Sequence, residues 1–262
     1  MTNRLWGPFQ LLPDCRLWLA EDCINSNAKT SGLQRQLAEA HLSGRDLDRW
    51  DRYRPPKKKR QFLSSRLAIR AVLNREFGTA SDNYVVEAME SGQPILKHSC
   101  QYPMASISLS HTGNMTAIVL GEKRHGLGVD LEIIQPLNVR TLSLTFMNQF
   151  EHDWLAEEGL SESPEATLAI WTLKEASWKA LGGPSDRAFA EIVAEYRNST
   201  LNGHLLTNTC KTELAATHFF GHQFSFPRAL TNYSSIDGLD SLMPGLIGCV
   251  VLVDPILSDV QE

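Results

Sequence analysis

Three carboxylates and one lysine are the residues of this chain whose types and spacing best suit chemistry. Asp130 and Glu132 lie two residues apart, and Glu175 and Lys179 lie four residues apart. Carboxylate oxygens suit Mg²⁺, which usually binds one or two of them together with water and phosphate oxygens. A lysine beside such a cation can bind a phosphate as a point charge. The four residues therefore indicate phosphate chemistry assisted by a divalent cation.

The spacing of the first pair predicts that both acids project from one face of a strand. Side chains at i and i+2 share a face, so Asp130 and Glu132 would point together while Val129 and Leu131 face a core. Two carboxylates on one face repel each other unless a cation or a shared proton relieves them. Two solvated acids at a strand end are the alternative, and that is the commoner meaning of so short a pattern alone.

The second pair has the spacing of neighbours on a helix face. A surface ion pair between Glu175 and Lys179, worth only about 0.3–0.5 kcal/mol, is the alternative interpretation. The adjacent Trp171, Leu173 and Trp178 are bulky and apolar. We therefore expect the pair to be partly buried, where charges interact more strongly. Glu175 would then be the third carboxylate of the cation site.

The composition is that of an ordinary globular protein. The 262 residues are 42% hydrophobic and 21% charged, with a net charge of −5, so no overall basic field attracts nucleic acid or anionic lipid. The five cysteines form no Cys-x-x-Cys pair, which argues against a zinc ribbon. Without a secretory signal or a run of about 20 apolar residues, we expect a cytoplasmic protein with free thiols.

The sequence predicts that a mixture of helices and strands positions these residues. Periodicity, Pro and Gly predict helices over residues 33–41, 47–54, 57–77, 142–158 and 164–181. Alternating or β-branched runs predict strands over 84–87, 105–110, 115–120, 126–131, 201–206, 218–226 and 246–253. Helices and strands do not alternate strictly, which favours an α+β fold over a parallel α/β sheet. A boundary between 121 and 125 would divide the chain into domains at 1–123 and 124–262.

Four motifs together resemble a known family. GVDLE at 128–132 followed by WTLKEASWK at 171–179 resembles the signature of 4′-phosphopantetheinyl transferases. SLSHT at 108–112 resembles the family's Ser-His-Ser/Thr motif at a strand end, and GQP at 92–94 lies where the family has Gly-Lys-Pro. Each motif is short, but the ordered set is specific, and it covers about residues 57–181. The chain length suggests the monomeric surfactin-synthetase-activating type.

The resemblance implies both a fold and a reaction. Such proteins consist of two similar α+β halves related by a pseudo-twofold, with coenzyme A between them. They transfer the 4′-phosphopantetheine group of coenzyme A to a serine of an apo acyl or peptidyl carrier protein, depend on Mg²⁺, and release 3′,5′-ADP. By resemblance, Asp130, Glu132 and Glu175 bind the metal, Glu175 also takes the serine proton, and Lys179 contacts a phosphate oxygen. Asp130 and Lys179 thereby also belong to the coenzyme A site.

Other coenzyme A contacts follow from the same resemblance. Ser110 and His111 match the residues that contact its phosphates, although a lone histidine is more often structural. Gln93 replaces the usual lysine and brings no charge, which weakens the expected phosphate contact, and Pro94 would shape the adenine pocket. Arg60 is the candidate for the 3′-phosphate.

The basic run at 57–60 leaves two alternatives open. A strict count of the family spacing places Gln61, not Arg60, at the position of the phosphate-binding arginine. Lys57 and Lys58 are expected to be solvated residues of a helix start. Cations at a helix N-terminus oppose the macrodipole, however, which hints at a use.

Carrier docking is expected between the two signature segments. Phe146, Phe150 and Trp154 lie there, and an ordinary place in an amphipathic helix core is an equally good interpretation of them.

Three other functions are less well supported by the sequence. A different Mg²⁺-dependent phosphoryl enzyme would need a Walker-type or kinase loop, and neither motif is present. A non-catalytic homologue that binds coenzyme A or a carrier is disfavoured because all three acids and the lysine are present. A nucleic-acid module is weakest, since the single basic run lacks interleaved aromatics.

Overall fold

The described part of the protein contains two antiparallel sheets and six α-helices. The computed structural model describes residues 4–12, 15–22, 24, 31–88, 94–98, 101–122, 126–136, 138–182, 192–202, 205–214, 217–226 and 246–253. The helices are α1 (Ser31–His41), α2 (Gly44–Arg52), α3 (Pro56–Phe77), α4 (Val139–Phe146), α5 (Gln149–Glu157) and α6 (Pro164–Ala180). The α+β class predicted from the sequence is confirmed. No helix among these residues is long and apolar enough to cross a membrane.

The strands divide into two sheets along the chain. The first sheet contains β1 (Leu5–Leu12), β2 (Cys15–Glu21), β3 (Tyr84–Ala88), β4 (Pro94–His98), β5 (Gln101–Thr112) and β6 (Met115–Glu122), in the order β1-β2-β6-β5-β4-β3. The second contains β7 (Gly126–Ile133), β8 (Val193–Asn202), β9 (Leu205–Leu214), β10 (Thr217–Phe226) and β11 (Leu246–Val253), in the order β7-β11-β10-β9-β8. Strand β7 is therefore an edge strand.

The layers follow in the order α3, first sheet, second sheet, α6. Alternate residues of β2 show this arrangement, because Leu17 and Leu19 pack toward the second sheet while Trp18 and Ala20 pack toward α3. On the far side, α6 packs against β11 in a third apolar cluster. Each sheet is thus covered by one long helix, and the two sheets share a core.

Local signals explain where the long helices begin and end. Pro56 starts α3, and Gly78, with a φ of 56°, ends it. Ser163 caps α6 by accepting a hydrogen bond from the backbone N–H of Ala166, and Pro164 follows at the first helical position. The predicted helices at 57–77 and 164–181 are confirmed to within one residue at each end.

The predicted single helix at 142–158 is wrong. Asn148 interrupts it, because its side chain accepts from the N–H of Glu151 while the Glu151 carboxylate accepts from the N–H of Asn148. This capping box starts a new helix and is worth about 1 kcal/mol. The signal was present in the sequence as Asn-x-x-Glu.

Most predicted strands are confirmed, and the one that is wrong falls on the turn of a hairpin. The strand expected at 201–206 is wrong, because β8 ends at Asn202 and β9 begins at Leu205. Strands β1, β2 and β4 were not predicted. The first sheet draws its strands from residues 5–122 and the second from 126–253, while the division into domains at 1–123 and 124–262 stays a prediction.

Candidate functional site

The two faces of β7 have different environments, as the alternating pattern predicts. Val129 and Leu131 are fully buried in the core shared by the two sheets. Asp130 lies on the opposite face and is also buried, while Glu132 on that face is partly buried. Asp130 and Glu132 therefore lie on the same face of β7, as their two-residue spacing predicts.

Gly128 brings the acids of β7 against α6. A Cβ at this position would collide with the backbone carbonyl oxygen of Ala176. The strand and the helix thus approach at backbone distance, which only glycine allows. Because Ala176 lies between Glu175 and Lys179, this approach places both of their side chains beside Asp130.

Strand β5 supplies hydroxyl groups to the edge of β7. Ser108 Oγ accepts a hydrogen bond from the N–H of Val129 at 3.1 Å, and Ser110 Oγ accepts one from the N–H of Leu131 at 3.3 Å. These buried donors would otherwise lack a ladder partner on the edge strand. Hydroxyls two residues apart therefore take the place of a neighbouring strand.

The same row of hydroxyls orients the carboxylates. Ser110 Oγ donates to Asp130 Oδ1 at 2.7 Å, and Thr112 Oγ1 donates to Glu132 Oε2 at 3.1 Å. The hydroxyl of Ser110 thus makes two buried hydrogen bonds within the protein. Its contacts are those of a residue that positions Asp130, whereas the sequence predicted a coenzyme A contact.

Lys179 lies at the centre of the site. Its Nζ donates to Asp130 Oδ1 at 2.6 Å and to the carbonyl oxygen of Val129 at 3.1 Å, and it lies 3.9 Å from Glu175 Oε2. The side chains of Lys179 and Glu175 are 24% and 21% exposed, which confirms the partial burial predicted from their apolar neighbours.

The carboxylates affect one another electrostatically. Burial raises the pKa of Glu132, and the negative charge of Asp130 raises it further. Burial also raises the pKa of Glu175; Lys179 opposes this, and the charges of Asp130 and Glu132 add to it. Glu175 is therefore a better proton acceptor near neutral pH than an ordinary carboxylate.

Asp130 has one oxygen left over. Its Oδ2 is buried and has no hydrogen-bond partner among the described residues. A buried carboxylate oxygen without a partner is costly, and a cation would relieve it. The charge of Asp130 also acts on Glu132 and Glu175, and carboxylates of this kind are hard oxygen donors that suit a divalent ion.

The acids are not already arranged as a coordination shell. Within the ranges that the structure describes, no group of three His, Cys, Asp or Glu side chains stands ready to hold a metal ion. Lys179 instead lies against Asp130. The convergence of Asp130, Glu132 and Glu175 on one ion therefore stays a proposal.

Lys57 is exposed, as the sequence predicted, and its charge still acts on His111. Burial of the imidazole ring lowers the pKa of His111, and the positive charge of Lys179 lowers it further. The negative charge of Asp130 raises this pKa by a smaller amount, and the positive charge of Lys57 lowers it by the smallest amount. The start of α3 thus lies within electrostatic range of the end of β5. No sequence signal beyond the basic run itself pointed to Lys57.

The remaining predicted coenzyme A residues are less closely associated with the acids. Arg60 Nε lies 3.7 Å from Asp22 Oδ2, and the backbone N–H of Asp22 donates to Asn114 in the turn that follows β5. Pro94 pairs with Ala88 at the start of β4, and the next residue, Ile95, pairs with Ser106 in the middle of β5. The predicted contact at Gln93 lies outside the described residues.

The aromatic residues expected near the carrier separate into two groups. Phe146 is buried and stacks edge-on against Trp171, and Trp154 packs partly buried in the same cluster. Phe150 is 58% exposed, and Leu144, which the sequence did not single out, is 70% exposed. The interpretation of these aromatics as core residues is therefore confirmed for Phe146 and Trp154 and is wrong for Phe150.

Replacement of Ser110 by alanine is expected to destabilise the protein by about 1–3 kcal/mol, because the buried N–H of Leu131 loses its acceptor. Urea unfolding would measure the change. Ser65→Ala is the matched control, since Ser65 Oγ donates only to a carbonyl of its own helix, and its expected cost is below about 0.5 kcal/mol. Equal costs for the two variants would contradict the positioning role of Ser110.

Comparison with known proteins shows which proteins this chain is similar to. Residues 126–229, from β7 to the strands beyond α6, match the 4′-phosphopantetheinyl transferase superfamily. The chain is also 27% identical over 150 residues to the 4′-phosphopantetheinyl transferase HetI of Nostoc sp., covering 57% of this chain and 63% of that protein. It is 24% identical over 120 residues to the 4′-phosphopantetheinyl transferase gsp of Aneurinibacillus migulanus, covering 46% of this chain and 47% of that protein. The chain thus spans less than two thirds of these relatives, and the family resemblance seen in the sequence is confirmed.

Proposed function

We propose that this chain, whose residues 126–229 belong to the 4′-phosphopantetheinyl transferase superfamily, transfers the 4′-phosphopantetheine group of coenzyme A to a serine of an apo carrier protein. It would act as a cytoplasmic monomer. The observation that carries the proposal is Asp130, which has one oxygen bound by Lys179 and Ser110 and the other buried without a partner. That arrangement suits a group that holds a cation beside a phosphate.

Asp130, Glu132 and Glu175 would hold Mg²⁺ in this proposal. When bound, the ion would supply positive charge where the diphosphate of coenzyme A accumulates negative charge during transfer. Burial is the largest cause of the raised pKa values of Glu132 and Glu175, and the negative charge of Asp130 adds to both. A cation would relieve the repulsion that this second cause reflects, which supports the assignment.

The reaction forms one bond and breaks one bond at the β-phosphorus of coenzyme A. The serine hydroxyl oxygen bonds to that phosphorus. The bond between the phosphorus and the bridging oxygen of the diphosphate breaks, so that 3′,5′-ADP leaves. Glu175 takes the hydroxyl proton, for which its raised pKa suits it. Lys179 contacts a phosphate oxygen, as its position between Asp130 and Glu175 supports.

Coenzyme A would lie between the start of α3 and the end of β5. His111, Lys57 and Arg60 face this region and would contact its phosphates. The lowered pKa of His111 favours a neutral imidazole, which can donate one hydrogen bond to a phosphate. Gln93 and Pro94 complete the proposed pocket, by resemblance alone.

The carrier would dock on the corner between α4 and α5. Leu144 and Phe150 are exposed there, and exposed large apolar residues are common anchors of interfaces. Replacing both by alanine is expected to raise KM for the carrier about tenfold, by removing two apolar anchors. Steady-state kinetics with varied carrier would measure it.

Leu33→Ala serves as the control for docking, because Leu33 is an exposed apolar residue of α1. It is expected to leave KM for the carrier within about twofold. An unchanged KM in the double variant would place the carrier elsewhere.

One assay tests the proposed reaction directly. The protein is incubated with coenzyme A, Mg²⁺ and a panel of apo acyl and peptidyl carrier proteins, and each carrier is weighed by mass spectrometry. Addition of one phosphopantetheine group, absent after chelation of the metal, is the expected result. Tight coenzyme A binding without addition to any carrier would instead identify a non-catalytic binding protein.

A further inference from the structure

Lys174 is a buried cation that the proposed reaction does not use. It precedes Glu175 on α6, yet its side chain is 0% exposed and points into the core formed with α4 and α5. Burial lowers the pKa of Lys174, and its hydrogen bond to Glu151 opposes that shift. Apolar residues of similar size stabilise a core as well as a buried ion pair does. Stability alone is therefore a weak reason for a charge at this position.

Among the described residues, the hydrogen-bond partners of the Lys174 side chain lie at the break between α4 and α5. Its Nζ donates to Glu151 Oε2 at 2.7 Å and to the carbonyl oxygen of Phe146 at 2.8 Å. Phe146 is the last residue of α4, and Glu151 is the third residue of α5. The same Glu151 oxygen accepts from the N–H of Asn148 at 3.0 Å. One lysine of α6 thus holds both sides of the corner.

The exposed apolar residues of this corner lie next to those contacts. Leu144 is two residues before Phe146, and Phe150 directly precedes Glu151. A partner that binds Leu144 and Phe150 therefore presses on the backbone that Lys174 holds. On the other side, Lys174 and Glu175 are consecutive residues of one helix, which transmits a shift or rotation from one to the other.

We propose that Lys174, Glu151 and the carbonyl of Phe146 form a corner clamp that transmits carrier docking on the α4–α5 corner to the orientation of Glu175. The inference rests on the proposed function and assigns Lys174 the role of a positioning residue. A carboxylate misplaced by about 1 Å costs on the order of 100-fold in rate, so a loosened clamp would lower turnover without removing any group from the site.

The test compares a single variant with a double variant. Lys174→Met removes the ammonium group that pairs with the buried Glu151 carboxylate and is expected to lower Tm by about 10 °C. Lys174→Met with Glu151→Gln removes both charges and keeps an acceptor for the N–H of Asn148, so Tm is expected within about 3 °C of the original protein. The double variant therefore separates the clamp from stability.

The double variant is expected to show kcat lowered about 10- to 100-fold and KM for the carrier raised, with an unchanged Kd for coenzyme A. Hydrogen exchange over 149–157 is expected to be faster than in the original protein. The control is Asp46→Asn with Arg66→Met, which removes a partly buried ion pair of α2 and α3 and should leave kcat unchanged. If the double variant kept both the kcat and the Tm of the original protein, the clamp would be overturned. Lys174 and Glu151 would then form only a structural ion pair.

Hydrogen exchange distinguishes failure of this inference from failure of the proposed function. If the original protein modifies no carrier, the proposed function fails. Faster exchange at 149–157 in the double variant, at an unchanged Tm, would then still support a clamp that holds the corner. Equal exchange in the two proteins would overturn it, whatever the activity.

Discussion

Asp130→Asn is expected to reduce phosphopantetheine transfer by roughly 1,000-fold or more while the protein stays folded. The substitution keeps the size of the side chain and an oxygen for Ser110 and Lys179, but it removes the charge that the buried Oδ2 offers to a cation. Turnover at several Mg²⁺ concentrations would measure the loss, and thermal unfolding would verify the fold. We expect the apparent affinity for Mg²⁺ to fall as well.

Glu87→Gln is the matched control for Asp130→Asn. Glu87 is an acid of the first sheet that pairs with Lys97 on the neighbouring strand, and it lies on β3 at the far edge of that sheet. Its neutralisation should change the rate less than about twofold. Full activity of the Asp130 variant at saturating Mg²⁺ would remove Asp130 from the catalytic site.

Gly128→Ala is expected to destabilise the protein by about 3 kcal/mol and to lower turnover about 100-fold in the folded fraction. The added methyl group collides with the backbone carbonyl of Ala176, and backbone cannot rotate aside as a flexible side chain can. Strand β7 and helix α6 must then separate, which moves Asp130 away from Glu175 and Lys179. Urea unfolding and steady-state kinetics measure the two effects.

Gly44→Ala provides the comparison for Gly128→Ala. A Cβ at Gly44 meets nothing within 4 Å, and the residue begins α2, where alanine is a better helix former. We expect its free energy of unfolding to be unchanged or slightly higher. If Gly128→Ala behaves in the same way, close approach of β7 and α6 is not what holds the acids together.

Patterns that act over a few residues were the most predictable from the sequence. The two-residue spacing of Asp130 and Glu132 depends only on the pleat of one strand, and the ends of α3 and α6 depend on a proline, a glycine or a serine cap. The break at Asn148 belongs to the same class, although apolar periodicity on both sides of it concealed the capping box.

Long-range pairing was less predictable. Strands β1 and β2 are neighbours of each other, but β2 also pairs with β6, about a hundred residues later in the chain. The hydroxyls of β5 likewise find their partners on β7 about twenty residues away. Polar and small residues at 108–112 indicated a strand, but nothing local showed which backbone they would contact.

By itself, the sequence determined the types of the candidate site residues, their local faces and the α+β class, because side-chain chemistry and backbone periodicity are local properties. Only the tertiary structure decided that Lys179 binds Asp130, that Ser110 orients it and that Lys174 holds the α4–α5 corner. These contacts join residues 20 to 49 positions apart in the chain. Which of many equally suitable partners a buried polar group meets is set by how the sheets and helices pack together.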